Sequence, residues 1–363
     1  MARGAAVLAL GLLPGLCAGL PAEIRGLVAT SPAQRSVTTA RTPALGDLRK
    51  KFTGLPASCE VLVAVNASSV NPADMATPGP FPQVMGSDLA GTVVAVEEGC
   101  RRLRAGDLVW ADIGAVTRMG QAKGKENGAY GQVAAALESQ LGPLPRNLGM
   151  LEAASLPKVA LTSYKALVWY GGAPFAEANG TVLILGGSGG CGTAGVQLAK
   201  ALGASNVITT TSAANVDYVR QLGADRVIDY HEQNWWEVLA DNSIDTIYDT
   251  VGQAGTGDRA MGKLKAGGHY VTIVGALPSR PRKDVESTMF INSNTNLDNV
   301  ELLEKLRGFA ESGKLRMPQL KPYPLEAILD AFAESKTGHV RGKLVVELPP
   351  LELEAQADAG AGP

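Results

Sequence analysis

The sequence predicts an α/β protein in which an antiparallel, β-rich unit is interrupted by a doubly wound parallel sheet. Three observations carry this. Up to about Leu156 the chain runs in short apolar, partly β-branched stretches separated by glycine turns, the pattern of an antiparallel sheet or barrel. From Thr181 similar stretches alternate with helical ones, and that alternation belongs to a parallel sheet covered on both faces. Beyond about Asn294 the pattern returns to helices and ends on GKLVVEL (342–348), a strand able to rejoin the first unit.

Taken in order, MARGAAVLALGLLPGLCAG (1–19) has a basic residue, an apolar run broken by Pro14, and then small residues. This is the make-up of a signal or targeting segment covering about 1–20, too short and broken for a membrane span. Residues 31–48 hold Arg35, Arg41 and several Ser and Thr, with Asp47 as the one acid, which fits a transit peptide reaching to about 48. IRGLVAT (24–30) competes as the first strand of the mature protein, and both readings stay open at this level. EVLVAVNASSV (60–70), GSDLAGTVVAVEEG (86–99) and RAGDLVWA (104–111) then read as strands, the last entered through a Gly106-Asp107 turn. The parallel sheet is expected from TVLILGG (181–187), NVITTT (206–211), RVIDY (226–230), IDTIYDTV (244–251) and GHYVTIVG (268–275). Helical TAGVQLAKALG (193–203) and NVDYVRQLGA (215–224) lie between them. The β-rich unit is thus 23–158 completed by 291–349, the inserted unit is 159–290, and the acidic, small-residue tail 350–363 reads as disordered.

A net charge of −2 and a pI near 6.0 leave no basic footprint for nucleic acid or an anionic membrane. The partner expected is a small molecule, with no nucleic acid and no stable membrane span in the mature protein. Cys17, Cys59, Cys100 and Cys191 are far apart, without a CxxC pair, and read as buried or incidental thiols rather than a disulfide framework or metal knuckle. LILGGSGGCGTAGVQLAK contains GxGxxG at Gly187, Gly189 and Gly192, between a strand and a helix. Glycines there permit a tight turn, approach of backbone to a pyrophosphate and close helix packing, while the helix N-terminus favours negative charge. Ser188, Gly190 and Cys191 complete the loop. An NAD site usually carries an acid at the end of the second strand, for the ribose 2′-hydroxyl. Here that strand ends in TTTSAAN. Thr210, Thr211 and Ser212 can donate to a 2′-phosphate where an acid would repel it, so NADP is expected, although that loop has no Arg or Lys.

Taken together, SSVNPADM, GSDLAGTVVAVEEGCRRLRAGDLV, AASLPKVALTSYKAL, GGSGGCGTAGVQLAKALGA, LGADRVIDY, YDTVG and HVRGKLVV resemble, in content and order, the zinc-independent medium-chain dehydrogenase/reductases, in the quinone oxidoreductase and zeta-crystallin branch. The resemblance runs from about Glu60 to Leu348. It implies a GroES-like catalytic domain with an inserted Rossmann domain, NADPH as cofactor, and a quinone or enone as substrate. A homodimer is usual for such a family. Zinc enzymes of the superfamily place a Cys in the segment matched by SSVNPADM and a His-Glu pair after the glycine of the next motif. This chain has Gly86-Ser87-Asp88 there and three His in all, so no metal site is expected.

The same match places Asn71 near the nicotinamide and the substrate carbonyl, where an amide can donate; an Asn before Pro72 also forms turns, and both readings stand. Asp74 reads as structural. Thr162 is expected to contact the cofactor or to cap a helix. Lys158 is expected to meet phosphate or substrate, or simply to be solvated. Tyr230 is expected to line the 2′-phosphate region or to be buried in the sheet. Gly252, Val274 and Gly275 end strands at the carboxyl edge, where such folds bind ligands, and Arg341 and Lys343 are expected at the cofactor phosphates. Enoyl-thioester reduction, or an NADPH-binding scaffold or redox sensor without turnover, are the competing functions. An NADPH-consuming reductase needs a compartment that supplies the cofactor, so the N-terminal segment points to a plastid or mitochondrion, with the secretory route as the alternative.

Overall fold

Strand β1 (Glu23–Ala29) buries Ile24, Leu27 and Val28 and pairs antiparallel with β2 (Arg35–Arg41), Glu23 opposite Arg41 and Ala29 opposite Arg35. The computed structural model describes residues 19–51, 57–75, 81–114, 128–175, 180–292 and 298–352. The pairing corrects the transit-peptide reading of 31–48. The Ser, Thr and Arg of RSVTTAR are the polar and β-branched residues of an outer strand, and Val37 packs on the core. The targeting segment proper, 1–18, and the tail from 353 lie outside the described residues.

Helix α1 (Asp47–Lys51) leads to the main antiparallel sheet, built from β3 (Glu60–Ser69), β5 (Asp88–Val96), β6 (Leu108–Asp112), β7 (Val133–Leu137) and β8 (Gly142–Pro143), while the short β4 (Gln83–Val84) pairs with β1. Its apolar alternation fills a core of Val61, Val63, Leu89, Val93 and Val109. Cys59 precedes β3 and Cys100 follows β5. Antiparallel pairing sets Val61 opposite Val96 and brings the two cysteine Cα atoms to 5.4 Å, where they form a disulfide. The incidental-thiol reading is therefore wrong for this pair, because a linear separation of 41 residues conveys nothing until the strand register is known. Cys191 is free.

Helices α2 (Met150–Ala154) and α3 (Pro157–Val168) lead into the inserted unit. Proline at the first turn suits α3, since the missing N–H has no intrahelical partner there. Its residues from Pro157 to Leu167 are buried, because it is wedged between α4 on one side and β5 and β6 on the other. Next come β9 (Thr181–Leu185), α4 (Gly190–Ala201), β10 (Asn206–Thr211), α5 (Val216–Gln221), β11 (Arg226–Asp229), α6 (Trp235–Val238), β12 (Ile244–Asp249), α7 (Thr256–Lys263), β13 (Leu264–Thr272) and β14 (Glu286–Met289). Among the described residues these strands form a parallel sheet of order β11-β10-β9-β12-β13-β14. The order reverses between β9 and β12, which opens a crevice at their carboxyl ends. The chain then runs through α8 (Val300–Glu311), β15 (Leu320–Pro324), α9 (Ile328–Lys336) and β16 (Lys343–Glu347). Strand β16 returns to the first sheet, antiparallel to β3, with Val345 opposite Ser69. The GroES-like unit is therefore built from both ends of the chain around a Rossmann sheet.

Because the disulfide closes a loop of this length, reducing it, or replacing it by Cys59→Ser with Cys100→Ser, should lower unfolding free energy by about 2–4 kcal/mol. Urea titrations with and without reductant check this. A shift below about 0.5 kcal/mol would mean that the β3–β5 pairing holds these ends without it.

Candidate active site

Between β9 and α4 the chain turns through Gly186 to Gly192. A side chain on Gly187 would collide with Thr209 Oγ1, and one on Gly192 with the backbone of Gly186, so those two glycines serve the turn and the helix packing. Gly189 differs: an added Cβ would meet only Gly186 O, at 3.6 Å. It is the N-cap of α4, with no side chain bonding the helix end, so the helix N-terminus is presented bare toward the crevice.

Two cavities meet at this loop, sharing Gly189, Thr250, Gly338 and Val340. The larger, about 610 Å³, runs past Ser188, Ser212, Asn215, Tyr230 and Trp236. Among the described residues lining it there is no carboxylate. Tyr230 is 46% exposed, which excludes its burial in the sheet. Of the three expected phosphate donors, Thr210 accepts from Gly186 N at 3.0 Å and Thr211 donates to Ser188 Oγ at 2.9 Å. Both therefore brace the glycine loop, while Ser212, bonded by Asn215 Nδ2 at 3.2 Å, stands at the cavity wall. Sequence reading missed Asn215, the last residue of SAAN. Arg341 lies over the Tyr218 ring of α5, 5.8 Å from its centroid.

The second cavity, about 380 Å³, is lined by Asn71, Lys158, Thr162, Gly190, Cys191, Val274, Phe290, Asn292 and Lys343 among others. Thr162 lies in mid-helix, so the cap reading fails. Gly252 and Gly275 do not line either cavity among the described residues. An added Cβ would bring Gly252 onto Val274 O and Gly275 onto Thr272 Oγ1 and Asp249 Oδ2. They pack the ends of β12 and β13 together, and their neighbour Val274, 60% exposed, faces the site. Burial pushes the Cys191 thiol up to about 11, which makes it an inert wall residue.

Behind this cavity lies a buried polar network. Asp88, at the start of β5, accepts from Ser69 Oγ at 2.8 Å, Asn71 Nδ2 at 2.9 Å and the backbone N–H of Lys158 at 2.8 Å. Asp74 accepts from Ser87 Oγ and Tyr130 OH, both at 2.6 Å, and from Asn71 Nδ2 at 3.2 Å, the structural role expected of it. Lys343 donates to Val70 O and Asn71 Oδ1, both at 2.6 Å. Its side chain therefore lies in the cavity of Asn71 and Gly190, not in the one lined by Ser212 and Tyr230. The Asn71 side chain is engaged at both its nitrogen and its oxygen, which excludes a mere turn residue and also removes the simple picture of an amide aimed at a substrate carbonyl. Lys158 is buried rather than solvated, its ammonium 2.9 and 3.0 Å from the two Asp112 oxygens. Asn292 Nδ2 donates to Asp112 at 3.1 Å, and Lys165 Nζ donates to Asn292 Oδ1 at 3.0 Å and Asn299 Oδ1 at 2.9 Å. Asp112, Asn292 and Lys165 gave no sequence signal, since each falls inside an apolar strand, a connector or a helix. Burial first, and then the charge of Asp112, push Asp88 up to about 7; burial pulls Lys343 down and Lys165 down to about 7.

Residues 57–151 match the family described as alcohol dehydrogenase GroES-like domain, and 222–346 the one described as zinc-binding dehydrogenase. The chain is 34% identical over 302 residues to a 2-methylene-furan-3-one reductase of Solanum lycopersicum, covering 80% of this chain and 72% of that one. It is 34% identical over 298 residues to an NADPH-dependent alkenal/one oxidoreductase, chloroplastic, of Arabidopsis thaliana, covering 79% and 72%. Among solved structures, the quinone oxidoreductase from Coxiella burnetii superposes with a TM-score of 0.70 at 25% identity, over 90% of this chain and all (100%) of that one.

Two outcomes follow from the geometry. Gly189→Ala has room within the protein, so its melting temperature should stay within about 2 °C of wild type while dinucleotide affinity, read by fluorescence titration, falls tenfold or more (about 1.4 kcal/mol). Unchanged affinity would separate Gly189 from the phosphates. Lys165 is fully buried and its folded value of about 7 lies below the unfolded value of about 10.4. Between them the unfolded chain binds the extra proton, so this group makes stability rise with pH and withdraws that gain as pH falls through 7. The stability of wild type relative to Lys165→Met should therefore grow by about 1 kcal/mol per pH unit between roughly pH 7.5 and 9. Urea midpoints across that window measure it, and a pH-independent difference would refute the depressed value.

Proposed function

We infer the reaction from one premise: this chain belongs to the zinc-independent, quinone oxidoreductase type of the medium-chain dehydrogenase/reductase superfamily. It is an NADPH-dependent oxidoreductase that transfers a hydride to a quinone or to the C=C bond of an α,β-unsaturated carbonyl, without zinc. The observation that carries this reading is the joined cleft. One arm is hydroxyl- and amide-lined without an acid, and the other is lined by two lysines and two amides, Lys158, Lys343, Asn71 and Asn292, with the carboxylates of Asp88 and Asp112 bonded to them from behind.

The residues fit the cofactor. Gly189 leaves space beside the bare N-terminus of α4, where backbone N–H groups and the helix dipole favour a pyrophosphate. Ser212, Asn215 and Tyr230 form the 2′-phosphate end on this reading, with Arg341, which precedes β16 and lies over Tyr218 of α5, as the cation that the β10 loop lacks. Thr162, Cys191 and Val274 line the nicotinamide end. NADPH, when bound, supplies the hydride. Zinc has no equivalent anchorage at Ser87 and Asp88, because the first donates to Asp74 and the second is taken up by three donors. Among the described residues, the one acid and cysteine cluster compact enough for an ion is Cys59, Cys100 and Glu138. Its sulfurs are joined as the disulfide, and Glu138 accepts the backbone N–H groups of Arg102 and Leu103 at 2.7 and 2.8 Å. The oxyanion contact first expected of Asn71 passes to the cations beside it, Lys343 and Lys158.

The same reading takes 23–158 with 291–349 as the catalytic domain and 159–290 as the NADP-binding domain, supported by the return of β16 to β3. It includes a homodimer, supported by edge strand β14, with exposed Met289 at its end and exposed Ile291 just after it. It also includes an organelle as the site of action, supported by the chloroplastic relative. Among the described residues no helix is long and apolar enough to cross a membrane.

The deciding experiment is steady-state oxidation of NADPH and NADH with quinones, enones and enoyl thioesters, after exhaustive chelation. Turnover of quinones or enones, faster with NADPH and indifferent to chelator, is expected. Loss of activity restored by zinc would overturn the metal-free reading. Turnover confined to enoyl thioesters would overturn the substrate class, and NADPH binding without any turnover would leave a scaffold or sensor.

A further inference from the structure

Reducing a conjugated C=C bond needs two deliveries, a hydride at the β-carbon and a proton at the α-carbon. The second is the harder to leave to solvent, since protonation at carbon is slow unless an acid is held at the right place. The sequence names no such acid. Among the described residues, the titratable side chains lining the substrate end of the cleft are Lys158, Cys191 and Lys343. Cys191 lies in the first turn of α4, within the glycine loop that this reading gives to the cofactor. Lys343 is clasped between Val70 O and Asn71 Oδ1 at 2.6 Å each, which fixes it as an orienting and charge-stabilising group.

Lys158 is held differently. Its backbone N–H is bonded to Asp88 and its ammonium to both oxygens of Asp112, so the side chain is fixed at root and tip. Asp112 is wholly buried and also receives Asn292, which lines the same cavity. Lys165, bonded to Asn292 Oδ1, sets the orientation of that amide. A carboxylate so placed keeps the amine in one position whichever form it takes, the pre-organisation that a proton donor requires.

Resting on the reductase reading above, we propose that Lys158 is the catalytic acid for enone reduction, with Asp112 and Asn292 as its positioning residues. The hydride adds to the β-carbon, and the π electrons move onto the carbonyl oxygen as an enolate. The enolate α-carbon then takes a proton from Lys158 Nζ, forming C–H as N–H breaks, and the neutral amine recovers a proton from solvent. The sum is one enone, one NADPH and one proton converted to a saturated ketone and NADP⁺.

The test compares wild type, Lys158→Arg and Lys158→Ala with NADPH and either cyclohexenone or benzoquinone. Arginine keeps a cation against Asp112 but does not release a proton in proteins. Hydroquinone oxygens, unlike the α-carbon, exchange protons with water readily. In Lys158→Arg, kcat on cyclohexenone should therefore fall about 100-fold or more, a loss exceeding that on benzoquinone at least tenfold. Added ethylammonium should restore part of the enone turnover of Lys158→Ala, saturably. Should the alanine variant not fold, the arginine variant decides alone. Equal losses on both acceptors in Lys158→Arg overturn the assignment while leaving the reductase reading intact. Wild type inert with both acceptors overturns that reading itself.

Discussion

A carboxylate without access to water has to be satisfied from inside the protein, and Asp88 imposes that demand on three parts of the chain. It draws Ser69 from the end of β3, Asn71 from the turn that follows, and the first turn of α3 onto its two oxygens. Leaving such a charge unpaired costs about 3–5 kcal/mol, as much as a large share of a domain's net stability. The site is therefore as much a folding constraint as a chemical device. Helix α3, buried along almost its whole length, is held at its N-terminus by the catalytic sheet and along its side by α4 of the inserted unit. A displacement of Asp88 would be felt at once in the orientation of Lys158 and in the seating of the nucleotide-binding helix.

The second tie between the units runs through the C-terminal segment. Gly342 N–H donates to Ser188 O in the glycine loop at 2.9 Å, and the next residue, Lys343, begins β16 and bonds Asn71. One short stretch thus touches the phosphate loop with its backbone and the catalytic network with its side chain. The inserted sheet cannot move away from the catalytic one here without breaking the Gly342–Ser188 bond. This explains why the two cavities join at Gly189 and Val340: the cleft is the seam between the units, and neither unit alone encloses it.

Much of this was legible in the sequence. The period of the apolar runs gave the parallel sheet, and GxGxxG with its flanking strand and helix gave the loop, because both are local patterns. The return of GKLVVEL to the first sheet was also readable, from the change of pattern at either end. Pairings across distance were not. Cys59 with Cys100 depends on the register of β3 against β5, and Lys158 with Asp112 on the crossing of α3 over β6. The β2 strand was obscured because Arg, Ser and Thr serve a leader and an edge strand equally well. Where individual glycines were assigned to the ligand, the sequence could not separate those that make room for it from those that make room for protein. An added Cβ has room at Gly189, whereas at Gly252 and Gly275 it would meet protein.

The network also bears on the direction of the chemistry. A metal ion activates an alcohol by lowering the cost of its alkoxide and polarising the bond to oxygen. The lysines here can stabilise an oxyanion that has already formed, but Lys158 and Lys343 are tied to Asp112, Val70 and Asn71, and none of these offers an alcohol a strong, open acceptor for its proton. An acceptor that becomes an oxyanion as the hydride arrives meets the opposite situation. The charge it gains appears beside cations whose donors are already oriented, so little reorganisation is needed at the moment of transfer. The site thus suits acceptors that become oxyanions as the hydride arrives better than it suits simple alcohols. Conjugated carbonyls and quinones are the acceptors that use such an environment, because their own π systems bring the charge to an oxygen that the lysines can reach.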